Sequence, residues 1–115
     1  MNARRLRIYL GERDKDAHGH LLHESIVSEA HRRGLAGATV FKGVTGFGTN
    51  SRVHTARILR LSEDLPLVVE IVDTPRKIEG FLPWLDDTII EGLVTLEDTD
   101  VVIYRSGRED FQPPI

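Results

Sequence analysis

Cysteine is absent from this chain of 115 residues, which removes disulfides, thiolate nucleophiles and Cys-based zinc sites from consideration. Also absent is any run approaching the roughly 18 consecutive apolar residues of a membrane-spanning helix, so no membrane insertion is expected. The N-terminal stretch Met1-Asn2-Ala3-Arg4-Arg5 is basic, but polar-apolar alternation follows it where a signal peptide would carry an apolar core. Export is therefore not expected, and a cytoplasmic setting is. No Gly-x-Ser-x-Gly elbow is present, and Ser25, Ser28, Ser51 and Ser62 have no evident base partner. Asp86 and Asp87 are neighbours within a helical pattern, where successive side chains point in different directions. A non-catalytic protein is the expectation. Aromatic residues make up only 6% of the chain and do not interleave with basic ones as stacking platforms do. Nucleic acid is not the expected partner.

The most informative absence is of negative charge. Between residues 30 and 62 there are six Lys/Arg residues and no Asp or Glu, whereas residues 63–115 carry four basic against thirteen acidic residues. Such a division within one chain can steer an anionic ligand or let subunits meet basic face to acidic face. The basic stretch contains Gly43-Val44-Thr45-Gly46-Phe47-Gly48. These glycines do not satisfy the dinucleotide fingerprint, and no helix start follows them, so they mark a mobile loop of exposed backbone N–H groups. Lys42, Arg52 and His54, with the Thr55 hydroxyl, are the candidate anion readers beside Gly43, Gly46 and Gly48. Phe47 at the loop tip is placed to stack on a base or insert into a partner. His18, His20 and His23 form a second cluster that could take a divalent metal with Asp16 or Glu24. Their spacing matches no closed structural site.

Length and composition fit one domain over 1–115, with a core at about 5–105 and a loosely held tail at 106–115. Alternation predicts a half-buried strand at 5–10. A helix follows at 20–33, closed by Gly34. The stretch 38–44 reads as a second strand, 55–61 as a short extended segment, and the apolar run at 65–72 as a central strand. Thr74-Pro75 is a strong helix start, with an apolar stripe at Ile78, Phe81, Leu82, Leu85 and Ile89. Pro83 should kink that helix, Gly92 should end it, and 93–96 and 101–104 complete the strands. The order is an α+β split βαβ arrangement of ferredoxin-like type, an antiparallel sheet with both helices on one face. The other face needs cover, for which a closed homo-oligomer is the simplest source.

The segments at 37–43, 46–48, 54–66 and 70–73, running from Gly37-Ala38-Thr39-Val40-Phe41 to Glu70-Ile71-Val72-Asp73, closely resemble an uncharacterised prokaryotic family, domain-of-unknown-function family 190, of the PII-like (GlnB-like) superfamily. The resemblance implies a ferredoxin-like protomer assembled as a homotrimer. It implies too that the loop 43–54 occupies the position of the T-loop, which signals to a regulated target protein. The implied ligand is a small anionic effector between subunits, an adenine nucleotide foremost. One segment departs from that pattern: Asp86-Asp87-Thr88-Ile89-Ile90-Glu91-Gly92 is short and acidic where PII proteins carry a glycine-rich, basic phosphate loop. The alternatives are a divalent-metal-binding trimer using the three histidines and a non-catalytic assembly protein.

Overall fold

The computed structural model of the protein describes residues 1–48 and 64–106. The expected extended segment at 55–61, the candidates Arg52, His54 and Thr55, and tail residues 107–115 lie outside the described residues. The elements run β1 (Asn2–Gly11), α1 (Leu22–Arg32), β2 (Thr39–Lys42), β3 (Pro66–Asp73), α2 (Pro75–Thr88) and β4 (Leu93–Asp100). They form one sheet in the order β2-β3-β1-β4, with each neighbouring pair antiparallel. β1 and β2 point the same way with β3 between them, as a split βαβ unit requires.

Alternation along the strands builds the core. Leu6, Ile8 and Leu10 of β1 and Leu67, Val69 and Ile71 of β3 are buried beneath Leu22, Ile26 and Ala30 of α1 and Ile78, Phe81 and Leu85 of α2. Thr74 caps α2 by accepting from the Lys77 N–H at 3.2 Å, and Pro75 takes the first helical position. α1 closes on Gly34, whose φ is +73°, with the Leu35 N–H reaching the Ala30 carbonyl and the Gly34 N–H that of His31. That pairing is a Schellman motif, and buried Leu35 and Ala30 supply its apolar contact. Asp73, fully buried, ties both helices to the sheet by accepting from the Ala36 N–H at 2.9 Å and the Thr74 N–H at 2.7 Å.

Four boundaries differ from the sequence-based expectation. α1 begins at Leu22, not residue 20, because the His20 carbonyl and Leu21 are held in a turn: the Asp16 N–H donates to His20, and Leu21 bridges Lys15. β2 is shorter than 38–44. α2 ends at Thr88, before Gly92, where the Thr88 hydroxyl donates to the Trp84 carbonyl at 2.6 Å and Ile89 turns extended. β4 is one continuous strand, and residues 101–104 are not a strand. The acidic end of β4 continues in the ladder because β1 places arginines against it: Arg4 meets Asp98 at 2.9 Å and Arg5 meets Glu97 at 3.1 Å. The regular ladder ends at the Asn2–Asp100 pair, and one further bond, from the Val101 N–H to the Met1 carbonyl at 2.9 Å, follows it.

Helices cover one face of the sheet. The opposite face carries a cross-strand apolar row, Phe41-Val68-Tyr9-Leu93, one residue from each strand in register. Beside it, Arg7 bonds Glu70 at 3.0 Å and lies 3.5 Å from Glu97, which also holds Arg5. The guanidinium of Arg7 is held further toward its charged form, chiefly by the hydrogen bond to Glu70.

Candidate functional site

The glycine loop leaves the sheet from a fixed base. The Gly43 N–H donates to the Pro66 carbonyl at 2.8 Å, prolonging the β2-β3 pairing by one residue. At Gly43 a Cβ would stand 2.9 Å from Pro66 Cγ, so only glycine lets the chain pass that close. Gly46 lies against the same proline with φ at +138°. Glycine thus serves contact and turning at the base, while Val44 and Phe47 point outward, 91% and 65% exposed. Gly48 is the last described residue before the segment that holds Arg52, His54 and Thr55.

Lys42 has a carboxylate partner that its own neighbourhood in the sequence lacks. Its Nζ lies 2.8 Å from Glu12 Oε2. Glu12 follows β1 directly and is positioned by its N–H, which donates to the Leu65 carbonyl at 2.9 Å. The Lys42 hydrogen bond is the largest cause holding the Glu12 carboxyl below its ordinary range, against the opposing effect of burial. Glu12 is therefore a built-in anion on the cation expected to read one. No local sequence signal reveals it; the signal is topological, since β1 and β2 end on either side of β3.

Asp16 organises the backbone of the histidine cluster. One Asp16 oxygen accepts from the backbone N–H groups of His18 and His20 at 2.9 and 3.0 Å, and the other accepts from the Ser25 hydroxyl at 2.7 Å. The Ser25 bond is the main reason this carboxyl sits below its usual range. Among the described residues no group of three or more His, Cys, Asp or Glu side chains is placed to share a metal ion.

Among the described residues, two of the grooves lie beside the sheet. One, of about 780 Å³, lies between the second half of α2 and the start of β4, and its lining joins Leu82, Leu85 and Ile89 with Glu79, Asp86 and Glu91. Its charge is opposite to that of an anion reader. The other, of about 520 Å³, runs between α1 and β2 and is lined by His23, Val27, Ser28, His31 and Val40.

Comparison with known proteins places this architecture. Residues 3–101 match the DUF190 family, described as "Uncharacterized ACR". A UPF0166 protein of Aquifex aeolicus is 37% identical over 97 residues, 84% of this chain and 90% of that one. A UPF0166 protein of Methanocaldococcus jannaschii is 39% identical over 102 residues, 88% and 93% of the two chains. Among solved structures, a protein of Thermus thermophilus described as PII-like signalling superposes with a TM-score of 0.61 at 18% identity, covering 89% of this chain and 91% of that one. CPII of Thiomonas intermedia, a structure bound to ADP and bicarbonate, superposes with a TM-score of 0.54 at 20% identity, covering 88% and 89%. Among the described residues no helix is long and apolar enough to cross a membrane. The extent of the family match makes this chain a member of the DUF190 family, and the superposition gives it the fold of the PII-like proteins.

Proposed function

We propose that the protein is a cytoplasmic, non-catalytic PII-like regulator: a single-domain homotrimer that binds a small anionic effector, an adenine nucleotide, between subunits and signals to a target through the loop 43–54. The observation that carries this reading is the fold shared along nearly the whole chain with a protein bound to ADP and bicarbonate. The names of the relatives, UPF0166 and PII-like signalling, include no enzyme. Three features of this chain support the reading further: the acid-free stretch at 30–62, the anchored glycine base of the loop, and the outward Val44 and Phe47 beyond it. In this reading the effector's anion competes with Glu12 for Lys42, while Gly43, Gly46, Gly48 and Phe47 bring backbone and ring to the ligand and Arg52, His54 and Thr55 complete the set.

Calorimetry of the full chain against AMP, ADP, ATP, cyclic nucleotides and divalent cations tests it. Binding of an adenine nucleotide is expected. Arg52→Ala should weaken it by roughly 1.5–3 kcal/mol, the loss of a charge-assisted contact. Glu12→Gln should strengthen it, because Lys42 then has no competing carboxylate. Silence across all nucleotides overturns the effector assignment.

A further inference from the structure

The groove between the second half of α2 and the start of β4 takes no part in the anion reading, and its chemistry is the opposite of the loop's. Along α2, Glu79, Leu82, Pro83 and Asp86 recur at i, i+3, i+4 and i+7, so one helix face forms its wall. Acids stand about 10 Å apart on that wall, with Leu82 and Pro83 between them. Past the helix end the lining continues through Ile90, Glu91 and Val94. Ile90 is 75% exposed and Val94 38%, although Val94 pairs with buried Ile8 on the helix-covered side of the sheet. Contiguous apolar surface left open in this way marks an interaction site.

The acids of the groove are uncompensated. Glu12, Glu29, Glu70, Glu97 and Asp98 each have a cationic partner, whereas among the described residues no ion pair includes Glu79, Asp86 or Glu91. No described Lys, Arg or His lines the groove. A smaller hollow that shares Ile90 and Glu91 brings in Lys15 as its one cation. Pro83 adds a further acceptor, because it has no N–H to give the Glu79 carbonyl one turn back.

These features select the occupant. An apolar groove that runs along a helix suits an amphipathic helix laid beside it, anchored at the same i, i+3, i+4 and i+7 spacing. The carboxylates call for Lys or Arg beside its apolar stripe. Neither helix of this chain fits: α1 and α2 spend Leu22, Ile26 and Ala30 and Ile78, Phe81 and Leu85 on their own core. Arg32 and Arg33, at the end of α1, are already held by Glu29. The groove also shares an end of the sheet with the loop base, since β4 begins opposite Tyr9 while Gly43 bonds Pro66, the partner of Gly11.

We propose that this groove docks a cationic amphipathic helix of a partner protein, its apolar stripe against Leu82, Ile89 and Ile90 and its Lys or Arg residues on Glu79, Asp86 and Glu91. The proposal rests on the target-binding part of the reading above and is independent of the effector.

A synthetic peptide of leucine and lysine, with leucines at i, i+3, i+4 and i+7 and fluorescein at one end, is titrated with the full chain and followed by anisotropy. Saturable binding that weakens as sodium chloride rises is expected. A peptide of the same composition with its leucines scattered around the helix should bind about tenfold more weakly or worse. Glu79→Lys and Asp86→Lys place like charge against the peptide and should each weaken binding by about tenfold or more. Ile90→Ser should weaken it with the salt dependence retained. No binding, equal binding of the two peptides, or wild-type affinity in all three variants overturns the docking site. Loss of assembly in Asp86→Lys, read by light scattering, shows that a second copy fills the groove and overturns it as well. Calorimetry with adenine nucleotides on the same variant separates the two readings. Nucleotide binding kept while peptide binding is lost is the expected result, and loss of both assigns the groove to the effector and overturns the docking. If the wild type binds peptide but no nucleotide, the effector assignment fails and the docking site stands.

Discussion

The two faces of the sheet come from the same strands and the same alternation, yet they solve different problems. On the covered face, Leu6, Ile8, Val69 and Ile71 meet helices and reach near-zero exposure. On the open face, Phe41, Val68, Tyr9 and Leu93 line up as an apolar row with a lattice of arginine-glutamate pairs beside it. A face meant only for water needs no such row, since surface strands do better with polar residues there. A face meant only for a core would not keep Arg5, Arg7, Glu70 and Glu97. Apolar contact beside oriented ion pairs is the composition expected of the subunit interface in the trimer proposed above.

The sharpest way to break the covered face is Val69→Asp. An unpaired carboxylate in that layer should cost on the order of 4–5 kcal/mol or more, much of a small domain's stability, and abolish the cooperative transition in chemical denaturation. Asp73→Ala comes next. It leaves the Ala36 and Thr74 N–H groups without their acceptor, an expected loss of about 1–3 kcal/mol, read as a lower denaturation midpoint at unchanged slope. Phe41→Asp sharpens the comparison from the other side: protomer stability should stay within about 0.5 kcal/mol, while the assembly dissociates in sedimentation. If Phe41→Asp unfolds the protein as Val69→Asp does, the two faces are not distinct in role.

The smallest expected effect is a pH dependence at the end of α1. Glu29 accepts from Arg32 and Arg33, and those bonds, Arg32's first, lower its carboxyl from 4.5 to about 2. A depressed carboxyl contributes stability that is present above its unfolded value and is lost as protons add. Acid titration of the wild type should therefore show a small stability loss between pH 4.5 and about 2 that Glu29→Gln lacks.

Much of this fold was legible from the residues because local signals and burial agreed. Alternation in β1, the apolar run of β3, Thr74-Pro75 and Gly34 each announce their element through a cause that acts within a few residues. The end of β4 was hidden because Glu97 and Asp98 look like loop residues until Arg5 and Arg4 of β1 stand opposite them. The Lys42 partner was hidden for the same reason: a stretch without acids in sequence acquires one in space, thirty positions away at Glu12. The end of α2 falls short of the expected Gly92 because the chain has already turned extended at Ile89. Of the candidate ligand site, the glycine base is described and its packing on Pro66 accounts for Gly43 and Gly46, whereas Arg52, His54 and Thr55 lie outside the described residues.

The difference between the two faces has meaning only if the open one is covered by other copies. Light scattering on the purified wild-type chain at micromolar concentration measures this directly. Three times the 13.0 kDa protomer mass is the result this account predicts. A stable species at the 13.0 kDa protomer mass would contradict it, because the apolar row across all four strands would then be facing water.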